Sequence, residues 1–187
     1  MQDDIKKALE ILRTGGTFLY PTDTIWGIGC DATNPDAVEK IFRIKQRHDS
    51  KSMIILLSSG HLLNRYVNEV PDIALQLIDV ADKPLTLIFD GAKNLAENLI
   101  AEDGSIGIRI PDDDFCQQLL QRFKKPVVST SANISGNPSP GNFSEIDEEI
   151  KSAVDYIVQW RQNETRKSTP SAIIKFDKTG SVKIVRN

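Results

Sequence analysis

The chain has 187 residues, 40% of them hydrophobic and 26% charged, a composition that suits a single globular domain over residues 1–187 with a sizeable core. No apolar run reaches the ~20 residues a membrane helix needs, and the acidic, helically patterned start MQDDIKKALEIL is unlike a signal peptide, so a cytoplasmic protein is expected. With 23 Lys and Arg against 26 Asp and Glu, the net charge of −3 argues against a protein that coats nucleic acid, while leaving room for a local basic cleft.

In chain order, Ile5, Ala8, Leu9 and Leu12 fall at helical spacing ahead of Gly15-Gly16, which predicts a first helix over residues 3–14. TFLYP predicts a short strand that Pro21 ends, leaving Thr22, Asp23 and Thr24 exposed in a turn before IWGIGCDA. Asp23 reads either as an Asx-turn acceptor or as a ligand group, and Trp26 as wall or core. Cys30 and Cys116 have no Cys-X-X-Cys or His partners, so they are expected as reduced thiols filling apolar space, with no metal site. Asn34-Pro35 predicts a capped helix start, with Val38, Ile41, Phe42 and Ile44 as the apolar face. Arg43, Lys45, Arg47 and Lys51 then crowd the end of that helix. The helix dipole accounts for one or two of these cations; the cluster, followed directly by MIILL, suggests an anion site, with His48 as an exposed loop residue.

Two amphipathic helical stretches are expected between Ser59 and Val80, the second starting at Pro71-Asp72 with Ile73, Leu77, Ile78 and Val80 on its apolar side. LTLIF predicts a strand, residues near 93–100 a helical stretch, and SIGIRIP a strand in which Arg109 faces away from the isoleucines. In a sheet covered on both sides that arginine is semi-buried and needs an internal carboxylate or an anionic ligand. Asp112, Asp113 and Asp114 precede the helix DDDFCQQLLQRF and are read as capping, not as a metal cluster.

The stretch PVVSTSANISGNPS, residues 126–139, reads as a buried strand running into a polar loop. Ser129, Thr130, Ser131, Asn133 and Ser135 gather there, at the strand end where α/β sheets tend to bind ligands. Ser144–Asp147 suggests a capping box before a short helix, and a strand is expected near 155–158. Residues 159–170 form a polar loop that either closes over a site or moves freely. SAIIKF, DKTG and SVKIVR predict a hairpin ending in Arg186. The fold class is α/β (α+β), a mixed sheet with flanking helices.

YPTDTIWGIGCDA, KQRHDSKSMIILL, PLTLIF, IGIRIP, PVVSTSANISGNPS and PSAIIKF…KIVR, in this order over residues 15–186, resemble the YrdC family in its single-domain form. The resemblance implies a twisted sheet around a deep basic cleft. It also implies synthesis of threonylcarbamoyl-adenylate and pyrophosphate from L-threonine, bicarbonate and ATP, with Mg²⁺ carried by ATP. The product would pass to the machinery that makes threonylcarbamoyl-adenosine in tRNA. Carried over by position, Lys45 and Arg47 hold the phosphates and are the catalytic pair. Ser131 and Asn133 line the ATP site, with Lys51, Ser139 and Arg186 as further nucleotide contacts. Thr24, Arg109, Ser129 and Ser171 hold threonine, Arg109 by its carboxylate.

Several positions depart from the family pattern: His48 where proline is common, Leu56 where some members have histidine, Trp26 for tyrosine, and Ser171-Ala172 for Ser-Thr. The departures at His48 and Leu56 leave a nucleotide-binding paralogue without the reaction as one other reading, and the resemblance, which also implies binding of double-stranded RNA, leaves a double-stranded RNA or tRNA-binding module as another.

Overall fold

The computed structural model describes residues 1–46, 53–176 and 182–186. Nine strands form one mixed sheet: β1 Phe18–Tyr20, β2 Gly27–Gly29, β3 Ile54–Leu56, β4 Leu85–Phe89, β5 Ile106–Arg109, β6 Val127–Ser131, β7 Tyr156–Ile157, β8 Ala172–Phe176 and β9 Val182–Arg186. Their spatial order is β7-β1-β2-β6-β3-β5-β4-β8-β9. The helices are α1 Gln2–Arg13, α2 Pro35–Ile44, α3 Leu63–Tyr66, α4 Asp72–Val80, α5 Asp114–Phe123 and α6 Glu148–Ala153. Among the described residues no helix is long and apolar enough to cross a membrane.

Strand alternation divides the side chains between two faces. Leu19, Ile28, Ile55, Leu87, Ile108 and Val128 point to one side and pack with α2 and Tyr66 into the larger core. Phe18, Tyr20, Leu56 and Val127 point to the other, where α1 and α5 cover them. α1 and α5 roof only that half of the second face. Ile54, Thr86, Ile88, Gly107, Arg109, Ser129 and Ile173 continue the same face beyond them, and they line a cleft instead of a core.

The predicted helix starts hold where a cap exists. Asn34 accepts hydrogen bonds from the amides of Asp36 and Ala37, and Asp113 accepts one from Cys116. Four expectations need correction. On α4, Val80 is 75% exposed and Ile73 is exposed too, while Ala74 is the buried residue, so the buried stripe is narrower and rotated from the predicted one. Residues 59–70 form only a 3₁₀ turn, Gly60–Leu62, and the single turn α3, and residues 93–100 only a 3₁₀ turn, Glu97–Leu99. These segments are too short to repay helix nucleation without packing. The Ser144 capping box is absent: Ser144 donates to Asn142 Oδ1 at 2.8 Å, and Asn142 caps the turn Phe143–Glu145. Cys30 and Cys116 are free and buried, and burial raises the pKa of both thiols.

Candidate functional site

The cleft has a volume of about 360 Å³. Thr24, Arg109, Ser129, Ser131, Ser139, Ser171 and Arg186, all singled out from the sequence, line it together. They come from β5, β6, β9 and the loops after β1, β6 and β7, so only the folded sheet assembles them.

Arg109 is the most buried charged residue lining the cleft, 3% exposed. Its Nη1 donates to Thr24 Oγ1 at 2.5 Å and lies 3.5 Å from Asp23 Oδ1, and its Nη2 reaches Thr22 Oγ1 at 3.4 Å. The anionic partner required of a buried arginine is thus an internal carboxylate. The pairing is incomplete, because Arg109 Nε and Asp23 Oδ1 are both buried without a hydrogen-bond partner. Burial pushes the Asp23 carboxyl above the usual aspartate range, and the Arg109 charge pulls it back in part.

The turn after β1 is not exposed as predicted. Thr22 and Thr24 are buried and Asp23 is half-buried with its side chain only 7% exposed, because Arg109 reaches up from the sheet into the turn and α5 begins against its outer side. Asp23 is not the turn acceptor either; Thr22 Oγ1 takes the Thr24 amide at 3.0 Å, while Asp23 Oδ2 accepts from the Asp112 amide. Trp26 is wall, as expected, with its ring 4.8 Å from that of Phe143.

The basic cluster divides. Arg43 is 77% exposed and paired with Glu39. Lys45 is turned inward and only 2% exposed. Its Nζ donates to the carbonyls of Ser131 at 2.6 Å and Asn133 at 2.7 Å, and its own carbonyl accepts from the Ser135 amide at 3.0 Å. Lys45 therefore staples the end of α2 to the loop after β6. Arg47, His48 and Lys51 lie outside the described residues. Asn133 stands behind the cleft wall, its amide nitrogen bonded to the carbonyls of Ile134 and Asn137 while Oδ1 has no partner. Ser135 Oγ is likewise buried and unpartnered.

Sequence reasoning missed Arg161. Its Nη1 donates to Asp113 Oδ2 at 2.7 Å and to the Thr22 carbonyl at 3.2 Å, and its Nε to Glu164 at 2.8 Å. It holds residues 159–168 over the turn that clamps Arg109, with a left-handed backbone at φ 68°. An arginine in a polar loop gave no signal by itself; only the docked loop reveals it.

A partly roofed α/β sheet with a cleft of hydroxyls, one deep arginine and one arginine at the rim has a lining chemically suited to small anionic ligands. The chain belongs to the Sua5/YciO/YrdC family, whose model, described as "Telomere recombination", matches residues 10–187. A protein of Vibrio campbellii named threonylcarbamoyl-AMP synthase is 30% identical over 182 residues, 96% of this chain and 97% of its own length. Among solved structures, E. coli YciO superposes with a TM-score of 0.85 at 28% identity, over 100% of this chain and 90% of that one. P. abyssi Sua5 complexed with L-threonine gives a TM-score of 0.81 at 26% identity over 92% of this chain, which spans 50% of the Sua5 chain.

Proposed function

We propose that the protein is an L-threonylcarbamoyladenylate synthase, joining L-threonine, bicarbonate and ATP into threonylcarbamoyl-AMP with release of pyrophosphate. The observation that carries this reading is Arg109: a guanidinium only 3% exposed, whose Nη1 donates to Thr24 Oγ1, lining a ligand-sized cleft together with Thr24, Ser129 and Ser171. Such a group fits the carboxylate of an amino acid, and the hydroxyls fit its ammonium and side-chain oxygen. The name of the Vibrio relative and the threonine held by P. abyssi Sua5 support the same reading.

The threonine ammonium gives up a proton to solvent, and the free amine with bicarbonate gives N-carboxythreonine and water. The new carboxylate attacks the α-phosphorus of ATP in line and pyrophosphate leaves. Both reactants are anions, so catalysis is positioning and charge neutralisation. Lys45 and Arg47 take that role at the phosphates, with Lys51, Ser131, Asn133, Ser139 and Arg186 completing the ATP site. Among the described residues no group of three or more His, Cys, Asp or Glu side chains is placed to hold a metal. Mg²⁺ in this reading arrives on ATP and supplies further neutralisation of the phosphates. No side chain is needed as general base, because the attacking carboxylate is already ionised. Asp23→Asn tests this point, since lost turnover with intact ATP and threonine binding would require a carboxylate base. The adenylate then passes to a tRNA-modifying transferase.

The first experiment is pyrophosphate release by the purified protein with ATP and Mg²⁺, with and without L-threonine and bicarbonate. Release that needs both co-substrates is expected. Lys45→Ala and Arg47→Ala should each lower the rate by on the order of 10²-fold. The likeness to YciO along the whole chain favours one second reading, a nucleotide-binding paralogue. ATP binding without release in any combination would select it.

A further inference from the structure

One row of the sheet carries both cleft arginines. Arg109 on β5 pairs with Thr86 on β4, Thr86 with Ile173 on β8, and Ile173 with Arg186 on β9. Residues opposite one another across strands share a face, and all four line the cleft. Three strand spacings separate the arginine backbones, about 14 Å along the sheet, a span that two long side chains close onto one small ligand. The β8–β9 pairing slips between Ile173 and Ile174, beside Arg186. Bulges of this kind re-aim a side chain.

The two guanidiniums are held in complementary ways. Arg186 is gripped by Nε, which donates to the Ser171 carbonyl at 2.9 Å, and its terminal nitrogens make no hydrogen bond among the described residues. Arg109 is gripped by its terminal nitrogens, and Nε is the orphan. Ser171 links the two ends, its hydroxyl sharing a 2.8 Å hydrogen bond with Thr86 Oγ1. Arg186 is exposed at the cleft rim, where partial desolvation lowers its basicity and the charge of Arg109 lowers it further. Asp23 balances one of these two positive charges and approaches only Arg109. A monocarboxylate on Arg109 leaves Arg186 unanswered.

We propose that the cleft binds a small dicarboxylate, one carboxylate on Arg109 and the other on Arg186, and that the N-carboxylated amino acid is the form it is built to hold. This rests on reading the cleft as an amino-acid site. It gives Arg186 a role before any nucleotide contact: the carboxylate it holds is the one that attacks the α-phosphorus, so the same arginine ends beside the phosphate.

Succinate is the probe, because it is N-carboxyglycine with the nitrogen replaced by a methylene; butyrate is the same chain with one carboxylate. Binding is measured by calorimetry without ATP. Succinate should bind about tenfold tighter than butyrate, the worth of one charge-assisted contact. Arg186→Gln, on an exposed edge strand, should erase that preference and leave butyrate affinity unchanged. Equal affinities, no succinate binding, or a preference that survives Arg186→Gln overturns the proposal. So does a variant that loses pyrophosphate affinity alone, which would confine Arg186 to the nucleotide. A retained succinate preference in a protein that releases no pyrophosphate keeps this inference and rejects the synthase reading, and the converse result does the reverse.

Discussion

Replacing Lys45 with methionine tests whether that ammonium acts on phosphate alone or also holds the site together. In the folded chain it donates to two carbonyls, Ser131 at 2.6 Å and Asn133 at 2.7 Å. Ser131 O keeps a second donor, the Asn133 amide at 2.9 Å, whereas Asn133 O accepts no other hydrogen bond from the described residues. Lys45→Met thus removes two charge-assisted bonds of about 1.5–3 kcal/mol each and orphans one buried carbonyl. Against this stands relief from burying an ammonium, several kcal/mol in effective terms. Methionine also fills the stem's volume, so no large cavity opens. The net loss is about 2 kcal/mol, equivalent to a fall in Tm of roughly 4–8 °C for a chain of this size. Thermal unfolding of both proteins without ligand measures it. An unchanged Tm together with lost ATP affinity would refute the reasoning and make Lys45 a phosphate ligand only.

Gly107→Ala should destabilise by about 1–3 kcal/mol and weaken ligand binding, because the new methyl would meet Ile54 Cγ2 at 2.8 Å on the cleft floor; denaturant unfolding and calorimetry report the two effects. Arg161→Ala should raise the threonine KM with a smaller change in kcat and admit trypsin within residues 159–168, since the ties to Asp113 and the Thr22 carbonyl are lost. Asp103 is held down to about 2 by Lys175 first and then Ser105, against an ordinary 3.8, so its contribution is complete above 3.8 and fades as pH falls toward 2. Asp103→Asn should therefore cost under about 1 kcal/mol at pH 6, as an exposed pair does, and only a small part of that near pH 2. Urea unfolding at the two pH values checks that sign.

Local signals in the sequence were enough for most strands, though not for β2 within the glycine-rich IWGIGCDA, for the capped helices α2 and α5, and for the identity of the cleft hydroxyls, because caps, alternation and turn residues act within a few positions. The family pattern also brought Arg109, Ser129, Ser171 and Arg186 onto one list. Tertiary structure decided what those residues do to one another. Whether Thr22–Thr24 was exposed depended on an arginine some 85 residues on reaching into that turn. Whether Lys45 faced solvent depended on two carbonyls contributed from 86 and 88 residues away. Arg161 gained its place only when its loop docked on Asp113, 48 residues earlier. The cleft itself exists because α1 and α5 roof one half of a sheet face and leave the other half open, a fact of packing that no local pattern encodes. Propensity and periodicity are properties of neighbours in the chain. Burial, pairing of charge and the convergence of two arginines are properties of neighbours in space.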